Sequence, residues 1–106
     1  MPRAADKSIE ETLETAVSLH RAGRLEKAER LYLSLLQKEN GHPDANHNLG
    51  VIKMQQGRAA SALPYLSRAL DTQPGNGLYW LDYIEALHLA GQHDEARKTF
   101  TDASSR

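Results

Sequence analysis

The side chains that could do chemistry in this chain are few and scattered. None of its 106 residues is Cys, which removes disulfides, thiolate metal sites and thiol nucleophiles. Five histidines are present, but none stands in a His-Glu-x-x-His pattern, and no glycine-rich phosphate loop or nucleophile elbow occurs. Isolated Ser, His and Asp side chains exist with no spacing that would bring them together. No catalytic residue, metal or cofactor is therefore expected. Arg24, Lys27 and Arg30 make a short basic stripe, but Glu26 and Glu29 are interleaved with it, so the expectation is a solvated face. Thirteen basic against fourteen acidic residues leave a net charge of −1, which argues against nucleic acid as a partner. No apolar run approaches the roughly 20 residues that cross a bilayer. Met1 to Lys7 lack the apolar stretch of a signal peptide, so no membrane association and a cytoplasmic location are expected.

The elements that must position any functional side chain are visible as a repeat. Gly23, Gly57 and Gly91 lie 34 residues apart. Five residues after each stands an alanine: Ala28, Ala62, Ala96. Four further on comes a bulky apolar residue: Tyr32, Leu66, Phe100. Seven before each glycine lie Ala16, Gly50 and Ile84. A period of this length marks stacked supersecondary units. The expected units are 9–42, 43–76 and 77–106, forming one domain over 9–104 with short tails at 1–8 and 105–106. His20 and His88 fall in the same column two units apart, which argues against a shared metal ion.

Each unit reads as two helices. Ile9 to Arg21 holds no Gly or Pro, and Ile9, Leu13, Ala16, Val17 and Leu19 recur at helical spacing. Ser8 with Glu11 fits a capping box. Gly23 suits the left-handed position after a helix end. A second helix follows with Leu25, Ala28, Leu31, Tyr32, Leu35 and Leu36 on its inner side, ending at Asn40, Gly41 and Pro43. Further helices are expected over 43–56, 59–72, 78–90 and 93–103. The small residues Ala28, Ala62 and Ala96 would let paired helices approach, with Ala16 and Gly50 receiving the first two. Pro64 removes a backbone bond to Ala60 and predicts a mild bend.

These columns resemble the tetratricopeptide repeat. The middle unit carries most of the likeness, with Asn48-Leu49-Gly50, Gly57, Ala62, Tyr65, Leu66, Ala69-Leu70 and Pro74. The third adds Trp80, Gly91, Ala96 and Phe100. The first departs from the pattern, with Thr15-Ala16 for the Leu-Gly pair and Asn40 where proline is usual. The resemblance implies an all-α fold: a right-handed superhelix of three antiparallel helix-turn-helix repeats, the first helix of each lining a concave face. It also implies a noncatalytic module that binds a protein or peptide. The run Tyr79-Trp80-Leu81-Asp82-Tyr83-Ile84-Glu85-Ala86-Leu87 looks like repeats at the front of larger bacterial proteins with a glycosyltransferase or sulfotransferase domain. That gives the alternative of a substrate-presenting or assembly module.

Carrying the concave positions over residue by residue selects a peptide-binding groove of Leu13, Glu14, Val17, His47, Asn48, Val51, Leu81, Asp82 and Glu85. Around it lie Glu10, His20, Arg21, Asp44, Met54, Gln55, Leu78, His88 and Leu89. The five acids and one arginine in this set give the face about −4, which favours a ligand with basic residues beside apolar anchors. Asn48 offers both a donor and an acceptor to a peptide backbone, and similar repeats use an asparagine there to hold extended peptides. The carboxylate clamp of heat-shock co-chaperones is rejected. Of its columns (Leu13, Val17, Asn48, Leu78 and Asp82) only Asn48 fits. The polar last helix partly solvates its own end, so a monomer is expected, with a homodimer as the competing outcome.

Overall fold

The computed structural model describes residues 8–105. Within them six helices follow one another: α1 (Ile9–Arg21), α2 (Leu25–Lys38), α3 (Pro43–Gln55), α4 (Ala59–Thr72), α5 (Gly77–Leu89) and α6 (His93–Ser104). No strand occurs among the described residues. The expected tail over 1–8 lies, apart from Ser8, outside them, as does Arg106. Ser8 is the α1 N-cap, its Oγ accepting from the Glu11 backbone N–H at 3.0 Å.

Chemistry at the helix ends explains the bounds. The first helix of each pair is capped by a side chain: Ser8 on α1, His42 Nδ1 accepting from Ala45 N–H on α3, and Asn76 Oδ1 accepting from Leu78 and Tyr79 N–H on α5. Each cap satisfies backbone donors that the first turn leaves open. Each first helix then ends in the same turn. Gly23, Gly57 and Gly91 have φ of 79°, 75° and 83°. The next N–H reaches back five residues, Arg24 to Leu19, Arg58 to Lys53 and Gln92 to Leu87, which is the Schellman closure. The turn is so short that the two helices must lie antiparallel.

Successive helices pack on one another, and α3 also touches α5. The molecule is elongated, 51 × 27 × 19 Å. Its core follows the repeat. Ala45, Leu49 and Ile52 of α3 pack backwards into a cluster with Ala16, Ala28, Tyr32, Leu35 and Leu36. Tyr79, Tyr83 and Ala86, the same three columns of α5, join Ala62, Leu66, Ala69 and Leu70 of α4. Because α3 is covered by α2, α4 and α5, apolar residues occur around most of its circumference.

The small-residue crossing is present, with one refinement. Ala16, Ala28 and Ala62 are fully buried. At Gly50, however, the neighbour is mainly Leu66. A Cβ there would lie 2.6 Å from Leu66 Cγ and Cδ2, against 3.5 Å from the Ala62 carbonyl. Pro64 is accommodated in an α4 that runs unbroken from Ala59 to Thr72.

Candidate functional site: the face of the first helices

Helices α1, α3 and α5 carry the residues selected for the groove, and packing between hairpins divides these into two sets. The first set belongs to the seam between α3 and α5. His47 is 8% exposed. Its ring stacks on Tyr79 with centroids 4.6 Å apart. Its Nε2 lies 2.5 Å from Asp82 Oδ2, and its Nδ1 lies 3.2 Å from Asn48 Oδ1. The Tyr79 hydroxyl donates to Asp44 at 3.1 Å. Burial, reinforced by the Asp44 carboxylate, pushes the Tyr79 phenol up to about 12. His47 and Asp82 were expected as ligand contacts. In the structure they also join the second hairpin to the third, with His47 8% exposed and the Asp82 side chain 19% exposed.

The second set faces a shallow pocket lined by Val17, His20, Arg21, Tyr32, Asn48 and Gln55. His20 Nε2 and Gln55 Oε1 close one side at 2.8 Å. Tyr32, from α2, is fully buried, and among the described residues its hydroxyl has no hydrogen-bond partner of good geometry. It lies beside the Asn48 side chain, and burial, opposed by that amide, raises its phenol above the ordinary range. A buried hydroxyl left unsatisfied costs free energy that a ligand acceptor could recover. Sequence reading missed Tyr32 because its column, with Leu66 and Phe100, reads as bulky and apolar.

The other selected residues form a chemically mixed surface. Glu14, Leu81 and Glu85 are exposed, and Leu13, Val17 and Val51 are partly covered. With Asp82 engaged by His47, the exposed acids Glu10, Glu14 and Glu85 keep the face negative. His88 meets His93 through their Nδ1 atoms at 2.9 Å. Among the described residues no group of three or more His, Asp or Glu could hold a metal ion. No described helix is long and apolar enough to cross a membrane.

Arg24, Lys27 and Arg30 of the basic stripe are exposed, as is Glu26, but the other interleaved acid departs from the expectation. Glu29 is not part of a solvated face. It accepts from Lys53 Nζ of α3, with Gln56 Nε2 at 3.5 Å on its other oxygen. The side chains of Lys53 and Glu29 are 10% and 17% exposed. The Lys53 ammonium holds the Glu29 carboxyl below its usual range, against the opposing effect of burial. This pair joins the first hairpin to the second.

Comparison with known proteins gives the same architecture. Models described as tetratricopeptide repeat match residues 53–106 and 12–33. Cellulose synthase 1 operon protein C of Komagataeibacter xylinus is 28% identical over 90 residues, covering 80% of this chain and 7% of that protein. Cellulose synthase operon protein C of Komagataeibacter sucrofermentans is 29% identical over 77 residues, 73% of this chain and 6% of its own length. The chain thus spans under a tenth of these curated relatives. Among solved structures, MamA of MSR-1 superposes with a TM-score of 0.83 at 21% identity, over 95% of this chain and 58% of MamA. The Yersinia enterocolitica type III secretion chaperone SycD, in complex with a peptide of the translocator YopD, gives 0.84 at 18% identity, over 92% and 74%. At these identities the likeness is one of fold. With six helices in three glycine-turned hairpins and a family model matching the second half of its length, the chain belongs to the tetratricopeptide repeat family.

Proposed function

We propose that the chain is a noncatalytic interaction module that holds an extended peptide or a partner helix along the face of α1, α3 and α5. The observation that carries this is the buried Tyr32 hydroxyl, which among the described residues has no hydrogen bond of good geometry and lies beside Asn48 in the lining of a pocket on that face. A peptide carbonyl seated there would take the Tyr32 O–H, and the Asn48 amide would supply a second polar contact. Val17 offers apolar surface nearby, and Glu10, Glu14 and Glu85 favour a ligand with Lys or Arg. SycD, which shares the fold, was solved with a YopD peptide, and this supports a peptide-holding role. The alternative, a module of a larger transferase-type protein, is favoured by no observation on this face.

The test uses a displayed peptide library rich in Lys and Arg beside Leu, Ile and Phe. Peptides selected on the native chain should bind Asn48→Ala and Tyr32→Phe at least about fivefold more weakly, roughly the worth of one hydrogen bond. Tyr32→Phe should leave the melting temperature unchanged or raised, because among the described residues the lost hydroxyl has no hydrogen bond of good geometry. Oligomeric state should not change in either variant. A library that yields no binder, or binding indifferent to both substitutions, would overturn the reading.

A further inference from the structure

Both nitrogens of the His47 ring face oxygen. Nε2 lies 2.5 Å from Asp82 Oδ2, and Nδ1 lies 3.2 Å from Asn48 Oδ1. A carboxylate only accepts, so Nε2 carries a proton. Nδ1 then meets a second acceptor, which only a protonated Nδ1 can satisfy. The arrangement therefore suits the doubly protonated ring, its charge set against Asp82. In the neutral ring the proton stays on Nε2, and Nδ1 becomes an acceptor facing an acceptor. The Asn48 amide relieves this by turning over, which brings its NH2 to Nδ1.

The amide is shared. Asn48 also lies beside the Tyr32 hydroxyl, and both line the pocket on this face. With Oδ1 on His47, the NH2 is the end left for Tyr32. An NH2 only donates. This accounts for the buried Tyr32 O–H having, among the described residues, no hydrogen bond of good geometry. Once the amide turns over, Oδ1 accepts the Tyr32 O–H, and the pocket loses both of its donors.

We propose that His47 is a positioning residue that sets the hydrogen-bond polarity of this pocket. Protonated, it holds Asn48 so that Asn48 and Tyr32 both offer donors to a ligand carbonyl. Neutral, it lets Asn48 close on Tyr32. This deepens the reading of the pocket as a peptide site, and rests on it, by giving that site a dependence on pH. The charged and titratable groups around the relay are few. Asp82 and Tyr79 of α5 face His47, and Asp44 of α3 accepts from Tyr79. Tyr79 stays neutral, its phenol pushed up to about 12 by burial and by Asp44. His20 of α1 meets Tyr32 edge-on with centroids 6.3 Å apart, and Arg21 lines the same pocket. Charge alone gives the opposite sign. Protonated His20 and His88 make the face less negative and weaken a basic ligand in acid.

Two measurements at about pH 5.5 and pH 8, on either side of the ordinary imidazole range, test this. The first needs no ligand. Tyr32→Phe should melt at or above the native temperature at the acid pH, and below it at the alkaline pH, where the Tyr32–Asn48 bond forms. In a His47→Gln background the effect of Tyr32→Phe should be the same at both. His20→Gln should preserve the difference. The second measurement uses a peptide selected on the native chain. It should bind about fivefold more tightly at the acid pH, roughly the worth of one hydrogen bond, and His47→Gln should abolish that gain. A Tyr32→Phe effect on melting that is indifferent to pH would overturn the relay whatever the peptides do. Peptides that tighten in acid equally well on His47→Gln would overturn it too. If His47→Gln does not fold, the comparison of Tyr32→Phe with the native chain decides alone. A library without binders would sink the peptide site, while the melting comparison still decides whether His47 controls the Asn48 amide.

Discussion

Gly50 has no side chain because Leu66 occupies the space where one would begin. With Leu66 Cγ only 2.6 Å from a built Cβ, even a methyl group must displace a branch point that is itself fully buried. Gly50→Ala should therefore cost about 1–3 kcal/mol, the usual penalty of overpacking, read as a lower urea midpoint with an unchanged slope. Ala16, the equivalent residue of the first hairpin, tolerates its methyl. The difference lies in the residue that packs over each site. At the same scale, His47 shows how a side chain with functional potential also serves structure. Once stacked on Tyr79 and bonded to Asp82, it serves the seam.

At the scale of the helix and its seam, Pro64 and Glu29 each make a measurable contribution. Pro64 sits in an unbroken α4 and leaves the Ala60 carbonyl without its helical donor. Pro64→Ala restores that bond, and should raise stability by about 1 kcal/mol once the smaller entropy of the proline-containing unfolded chain is set against it. A rise in melting temperature checks this. Glu29 links stability to pH. Its carboxyl is held below the ordinary value of 4.5 in the fold by Lys53. A group with a depressed folded pKa contributes stability that is fully present above its unfolded pKa and lost as pH falls through the folded value. The native chain should thus lose this contribution below about pH 4.5. Glu29→Gln should be less stable at pH 7 by about 1–2 kcal/mol, scaled down from a fully buried pair, and should show a shallower decline in acid. Parallel urea titrations at pH 7 and pH 3.5 give the comparison.

Among the described residues each hairpin packs chiefly on its neighbours, so stability is set by local terms and the seams between them. The middle hairpin is covered on both sides. The last has one seam, and α6 buries only Ala96 and Thr99. Amide hydrogen exchange should accordingly be slowest in α3 and α4 and fastest in α6 among the six helices. Equal protection of α6 and α4 would show that the stack opens as one unit.

Much of this was legible before any coordinates. Glycine at 34-residue spacing dictates the turns, because the left-handed backbone that closes each first helix strains any residue with a Cβ. Local caps such as Ser8 and apolar spacing then place the helices to within a residue or two. The family, the all-α class and the alanine crossing follow from those local rules. The seams do not. Whether His47 faces a ligand or Tyr79, whether Glu29 meets water or Lys53, and whether the Tyr32 hydroxyl finds a partner depend on how one hairpin rests on the next. Those contacts join residues of different hairpins, and a helical period names a residue's face without naming what lies opposite. One column shows this: His47 is 8% exposed and Leu81, 34 residues on, is 61% exposed. Only the packed structure separates them, because burial belongs to the neighbours as much as to the residue.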